Sequence, residues 1–190
     1  PIRPDHFLSG RARLLFVGRL QERKKIDLLI RVCGILPHDL RPELWIVGDG
    51  SILSQLKMIA QEFYPSTKFF GAVFGKELDD IFQQADLFVL PGTGGLAIQQ
   101  AMGAGLPVIV AEGDGSQSNL VTPETGWEIT GGDEDALLKS ISFALQDPTR
   151  LRRMGLAAYN KVRDEVNIEG MATVFVNAVE NVYLQVSHHG

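Results

Sequence analysis

The chain has one cysteine in 190 residues, Cys33. A single cysteine excludes an intrachain disulfide and a cysteine-based zinc site. Its place in Leu28-Leu29-Ile30-Arg31-Val32-Cys33-Gly34-Ile35-Leu36, an apolar stretch of helical period, assigns it to core packing. Histidine is scarce as well. His6, His38, His188 and His189 all lie away from the carboxyl ends of the candidate strands, which argues against histidine acid–base chemistry. No Ser/His/Asp or Cys/His arrangement is visible, and neither histidines nor carboxylates show a metal-ligand spacing, so no metal site is expected. Positive charge is also in deficit: 18 Lys and Arg against 23 Asp and Glu leave a formal charge of −5. That balance argues against a nucleic-acid partner held by general attraction, so positive charge used on a ligand must be local. No apolar run approaches bilayer-spanning length, and Pro1-Ile2-Arg3-Pro4-Asp5-His6 is unlike a secretion signal, so a cytoplasmic location is expected.

What the chain does contain is core. With 45% hydrophobic residues it suits one ordinary domain or one half of a two-domain enzyme. Short aliphatic runs at 13–18, 43–48, 67–71, 87–90 and 107–111 alternate with helical patterns at 25–36, 51–63, 76–84, 95–105 and 133–146. This alternation predicts an α/β fold, a Rossmann-like open parallel sheet with helices on both faces. A sixth short strand at 126–129 is expected to pair at an edge. Asp147-Pro148 ends one helix and starts another, because proline suits a first helical turn and disfavours helix in the residue before it. Terminal helices are expected at 148–163 and 168–186, and 112–118 is the one glycine-rich loop long enough to move.

In open parallel sheets a ligand sits outside the carboxyl ends of the strands. Those ends carry Gly18-Arg19, Gly48-Asp49-Gly50, Gly71-Ala72-Val73, Pro91-Gly92-Thr93-Gly94-Gly95 and Glu112-Gly113-Asp114-Gly115. The fourth is the most telling: a strand, a glycine-rich turn and then a helix form a seat for an anion, with backbone N–H groups at the positive end of a helix dipole. The alternative is that glycine is there only for close packing. Arg19 stands just past a strand, where a guanidinium can meet phosphate bidentately. Arg23, Lys24 and Lys25 form a cationic run at a helix start, either a solvated face or a site for an anion. Gly48-Asp49-Gly50 fails the dinucleotide fingerprint, since Leu53 stands where the third glycine belongs, and no nicotinamide or flavin cofactor is expected.

An ordered set of pieces resembles the C-terminal, nucleotide-sugar-binding half of GT-B fold retaining glycosyltransferases, the group 1 or family-four class. They are Val17-Gly18-Arg19-Leu20 with Lys24 and Asp27-Leu28-Leu29-Ile30; Val47-Gly48-Asp49-Gly50; Phe70-Gly71-Ala72-Val73; Ala85-Asp86-Leu87-Phe88-Val89-Leu90-Pro91; and Ala101-Met102-Gly103-Ala104-Gly105-Leu106-Pro107-Val108-Ile109. Gly126, Asp147-Pro148 and Arg152 with Met154-Gly155 continue it, so the likeness runs from Leu14 to about Tyr183. The resemblance implies that residues 1–190 are one donor-binding domain of a hexosyltransferase-type enzyme, excised and inactive alone. The acceptor is then held by a missing N-terminal domain, towards which a helix in 164–190 packs, and any peripheral membrane association comes through that missing half. It implies that Arg19 and Lys24 act catalytically on the donor diphosphate, with no cofactor and no metal. Gly18, Gly48, Gly50, Val73, Gly92, Thr93, Gly94, Gly95, Leu96, Ala97 and Gln100 would complete the donor site, Val73 lying in the segment that reads the nucleobase. The family usually carries two glutamates eight positions apart, and Gly92 and Gln100 stand in those places. Gln100 keeps neutral hydrogen bonding to a ribose, whereas Gly92 offers no side chain. Two readings follow: a subgroup with a different grip on the sugar, or a nucleotide-binding module that has lost transfer.

Overall fold

A computed structural model describes residues 10–94, 96–112 and 120–165. The sheet comprises β1 (Arg13–Val17), β2 (Glu43–Val47), β3 (Lys68–Gly71), β4 (Leu87–Leu90), β5 (Val108–Ala111) and β6 (Gly126–Ile129), all parallel, in the order β3-β2-β1-β4-β5-β6. The helices are α1 (Ile26–Ile35), α2 (Leu53–Phe63), α3 (Gly75–Gln84), α4 (Leu96–Gly103), α5 (Glu134–Leu145) and α6 (Pro148–Glu165). This is the Rossmann-like sheet expected from the sequence, with β6 at one edge and β3 at the other. The expected helix at 168–186 lies outside the described residues, as does the glycine-rich loop expected at 112–118 apart from Glu112.

The central strands form because both of their faces are covered, so nearly every residue can be apolar. Leu87-Phe88-Val89-Leu90 and Val108-Ile109-Val110-Ala111 are buried throughout, whereas edge strand β3 alternates between exposed and partly covered residues. Helix α1 packs on α2 and α5, and α4 on α6. Cys33 is fully buried in this core, and burial pushes its thiol pKa well up, which leaves it unreactive. Helix starts follow local chemistry: Asp133 Oδ1 accepts from the Ala136 N–H at 2.9 Å, and Asp147 Oδ1 accepts from the Arg150 N–H at 2.9 Å just ahead of Pro148.

The two edges of the sheet differ in how they are tied. At the amino ends, Asp86 is 4% exposed and accepts from the Arg13 N–H (2.9 Å) and from Arg152 Nη2 (3.2 Å), joining β1, β4 and α6. At the carboxyl ends, backbone meets backbone. The Gly18 N–H donates to Val47 O (3.0 Å), Gly48 N–H to Gly71 O (2.7 Å) and Leu20 N–H to Asp49 O (2.9 Å). Gly48 has φ +138°, and a Cβ there would overlap the Gly18 carbonyl oxygen. At Gly92 a Cβ would overlap the Arg23 carbonyl oxygen and stand 2.6 Å from Lys24 Cα. These glycines therefore permit one loop to lie on another.

Two stability measurements test this division. Asp86→Ala leaves the Arg13 N–H and the Arg152 guanidinium without that carboxylate and is expected to cost about 1–3 kcal/mol in urea unfolding. Gly92→Ala forces the 22–25 turn off β4 and is expected to cost about 1–3 kcal/mol by the same assay, although it adds only one methyl group.

Candidate functional site

The sheet order reverses between β1 and β4. The chain steps outward from β1 to β2 and β3, then returns to place β4 on the other side of β1. A crevice must open at such a point, because the loops leaving β1 and β4 diverge. A cleft of about 720 Å³ lies there, at the carboxyl ends of β1, β2, β3 and β4. Of the residues expected at a donor site, Gly18, Arg19, Lys24, Gly48, Val73, Gly94, Leu96, Ala97 and Gln100 line it. Gly50, Gly92 and Thr93 do not form its wall; Gly50 packs under Leu20, Gly92 under the Arg23–Lys24 turn, and Thr93 holds that turn from the other side. Gly95 lies outside the described residues.

The cationic run resolves into distinct parts. Glu22–Lys24 forms a single 3-10 turn ahead of α1, and Lys25 follows in the left-handed region at φ 54°. Lys25 is exposed and fits the solvated reading, but Arg23 and Lys24 turn towards the cleft. The Lys24 ammonium donates to the Thr93 carbonyl oxygen, and Arg23 Nη1 donates to Thr93 Oγ1 at 3.1 Å. The Thr93 N–H in turn donates to the Arg23 carbonyl at 3.2 Å. Partial burial, followed by the charge of neighbouring Arg23, lowers the Lys24 pKa below the usual lysine value. Among the described residues, no carboxylate pairs with Arg19, Arg23 or Lys24. Asp49, which also lines the cleft, accepts from the Gly50 N–H at 2.7 Å.

Sequence reasoning did not single out Arg23 as a ligand group, nor Asp49 and Phe74 as cleft residues. The signal for Arg23 was the cost of cations crowded at a helix start. Phe74 is 79% exposed and Leu96 is 73% exposed, so two large apolar side chains stand at the cleft, one on the β3–α3 connection and one at the start of α4. Gln100, on α4, faces both this cleft and a neighbouring hollow beside Asp79 and Tyr159. A larger hollow of about 810 Å³ lies away from the strand ends, between β6, α5 and the end of α1, with mainly apolar walls and Lys139 as the only cation among its described lining residues. The cleft at the switch point is the one that gathers cations, close-packed backbone and a helix start, a combination suited to a phosphorylated ligand. No helix among the described residues is long and apolar enough to cross a membrane.

The family described as glycosyl transferases group 1 matches residues 2–161. A "GDP-mannose-dependent monoacylated alpha-(1-6)-phosphatidylinositol monomannoside mannosyltransferase" of Corynebacterium glutamicum is 31% identical over 178 residues, covering 86% of this chain and 46% of the relative. A "GDP-mannose-dependent alpha-mannosyltransferase" of Mycobacterium tuberculosis is 36% identical over 159 residues, covering 81% of this chain and 39% of the relative. The chain thus spans less than half the length of these relatives. Among solved structures, sucrose-phosphate synthase from Thermosynechococcus elongatus superposes with a TM-score of 0.80 at 24% identity, over 93% of this chain and 47% of that one. The fold agrees with GT-B glycosyltransferase structures, and the chain belongs to the group 1 glycosyltransferase family.

Proposed function

We propose that this chain is the donor-binding half of a retaining hexosyltransferase, holding a nucleotide diphosphate sugar in the switch-point cleft while a separate N-terminal domain presents the acceptor. The observation that carries the reading is the convergence of Arg19 and Lys24 on one cleft with the start of α4, where no carboxylate among the described residues neutralises them. On this reading the two cations and the Leu96 and Ala97 N–H groups hold the diphosphate, and Val73 and its neighbours lie beside the base. As the bond from the sugar C1 to the phosphate oxygen breaks, negative charge grows on the leaving diphosphate. Arg19 and Lys24 then act more strongly than they did on the intact donor. The roles given to these residues require neither a metal nor a cofactor. Gln100 meets the ribose with a neutral amide. Two relatives are named as GDP-mannose-dependent, which makes GDP-mannose the first donor to test.

A second reading, a nucleotide-binding module without transfer, draws on the composition of the cleft, where Asp49 is the only carboxylate among the described lining residues. Transfer or donor hydrolysis by the full-length protein separates the two. A full-length protein that binds nucleotide and turns nothing over favours the module.

Calorimetry of this chain with GDP, UDP and ADP tests the reading directly. One of the three is expected to bind, and Arg19→Ala or Lys24→Ala to weaken it by about ten-fold or more, as loss of a charge-assisted hydrogen bond implies. A folded chain that binds none of them removes the reading.

The pH dependence has a definite sign. Folding lowers the Lys24 pKa, so its contribution to stability improves as pH rises through the lowered value towards the ordinary lysine value. A bound diphosphate acts in the opposite sense and raises that pKa. Binding in the alkaline window between the two values is therefore expected to take up protons, seen as a binding enthalpy that varies with the ionisation enthalpy of the buffer. Lys24→Met is expected to abolish the uptake.

A further inference from the structure

Of the cations lining the cleft, Arg23 is the one for which the diphosphate reading supplies no role. We propose that Arg23 is a third diphosphate-binding cation, and that Thr93 is the positioning residue that aims Arg23 and Lys24 together from across the switch point. The proposal rests on the donor-binding reading above and deepens it.

Arg23 is held in place. Its Nε donates to Gln21 Oε1 at 3.1 Å and its Nη1 to Thr93 Oγ1 at 3.1 Å. An arginine serving only solvation gains little from being fixed by two side chains, since ordering it costs rotamer entropy. Two bonds also leave three of the five N–H groups of the fork for a ligand.

Thr93 directs its polar groups to one place. Its N–H goes to the Arg23 carbonyl, its carbonyl to the Lys24 ammonium and its hydroxyl to the Arg23 guanidinium. All three serve one dipeptide about 70 residues away in the chain. Such an arrangement makes the β1–α1 and β4–α4 connections one rigid unit, with Gly92 as the close contact beneath it. Immediately after this dipeptide comes Lys25, the only non-glycine with positive φ among the described residues. Backbone held in that region persists where the surroundings over-determine it, and such positions cluster at ligand clamps.

Charge points the same way. Arg23 and Lys24 are neighbours, both turned to Thr93, and among the described residues neither has a carboxylate partner. Like charges so placed repel, and an anion between them and Arg19 relieves the repulsion. The chemistry of the ligand fits a third cation. When the sugar leaves, the terminal phosphate of the diphosphate keeps only its anhydride link, acquires a second ionisation with a pKa of about 6 and so gains about one negative charge near neutral pH. A third cation therefore favours the departing nucleoside diphosphate over the intact donor, which is the direction that assists bond cleavage.

The test is calorimetry on this chain with GDP, UDP and ADP, and with the monophosphate of whichever base binds. It compares wild type with Arg23→Ala, Arg23→Lys, Thr93→Val and Thr93→Ser, using thermal melting as the folding control. Arg23→Ala is expected to weaken diphosphate binding about ten-fold and monophosphate binding by less, and Arg23→Lys, which keeps charge without the fork, to weaken diphosphate binding about three-fold. The arginine-to-lysine variant carries the test if Arg23→Ala does not fold. Thr93→Val is expected to weaken diphosphate binding about three-fold, and Thr93→Ser, which keeps the hydroxyl, to match wild type. Wild-type binding with Arg23→Ala unchanged overturns the proposal and leaves the donor reading standing. Equal losses for monophosphate and diphosphate, or a serine variant as weak as the valine variant, also overturn it. A folded wild type that binds no nucleotide overturns both.

Discussion

Gly92 lies directly against the carbonyl of Arg23, and the shape of the cleft depends on that contact. Because position 92 carries no side chain, the turn leaving β4 can sit beneath the turn leaving β1. Thr93 is thereby brought within hydrogen-bond reach of Arg23 and Lys24. The same principle operates between β1 and β2, where Gly48 lies on the Gly18 carbonyl. Backbone therefore packs on backbone along the carboxyl edge. The positive charges that reach the cleft come instead from long side chains, Arg19, Arg23 and Lys24.

The opposite edge of the sheet uses the reverse chemistry. Asp86 is buried, and its carboxylate takes a backbone N–H from β1 and a guanidinium N–H from α6. A buried carboxylate is tolerable only when its oxygens are occupied in this way. At the carboxyl edge the cations are half-buried or exposed, so solvent can carry much of their charge without a counter-ion. Stability and ligand chemistry are thus separated by the length of a strand. A substitution at the amino edge acts on folding, whereas one at the carboxyl edge can act on both wherever two loops are in contact.

The fold was legible because its strands are buried on both faces. Such strands read as uninterrupted aliphatic runs, and six of them separated by helical periods leave little freedom of topology. The observed strands fall within a residue of the boundaries read from sequence, and Asp147-Pro148 marks the start of α6 as expected. The glycines were legible as close approach but not in what approaches. Gly48 and Gly92 press on other loops, which is the close-packing alternative, while Gly18, Gly94 and Gly48 itself also line the cleft. Arg23 was legible only as part of a charge run, because the partner that fixes it lies on another loop and no local pattern encodes that pairing. Lys25, the next residue of the same run, is solvated, so residue type alone could not separate the two.

The two positions at which the family resemblance leads one to expect glutamates, Gly92 and Gln100, differ physically, yet they act in one direction. Gln100 keeps a side chain of nearly the same reach, and an amide both donates and accepts, so the loss there is of charge rather than of hydrogen bonding. At Gly92 the loss is of the whole side chain, and its space is occupied by the Arg23–Lys24 backbone, so a carboxylate cannot be restored there without moving the turn that carries the cations. Both changes leave the cleft less negative, with Asp49 as the remaining carboxylate among the described lining residues and one of its oxygens engaged by the Gly50 N–H. On the donor-binding reading, such a cleft gives up acceptors for sugar hydroxyls and strengthens its hold on a diphosphate. Sites of that kind stabilise charge that grows on a leaving group, because their cations need no reorganisation when the bond breaks.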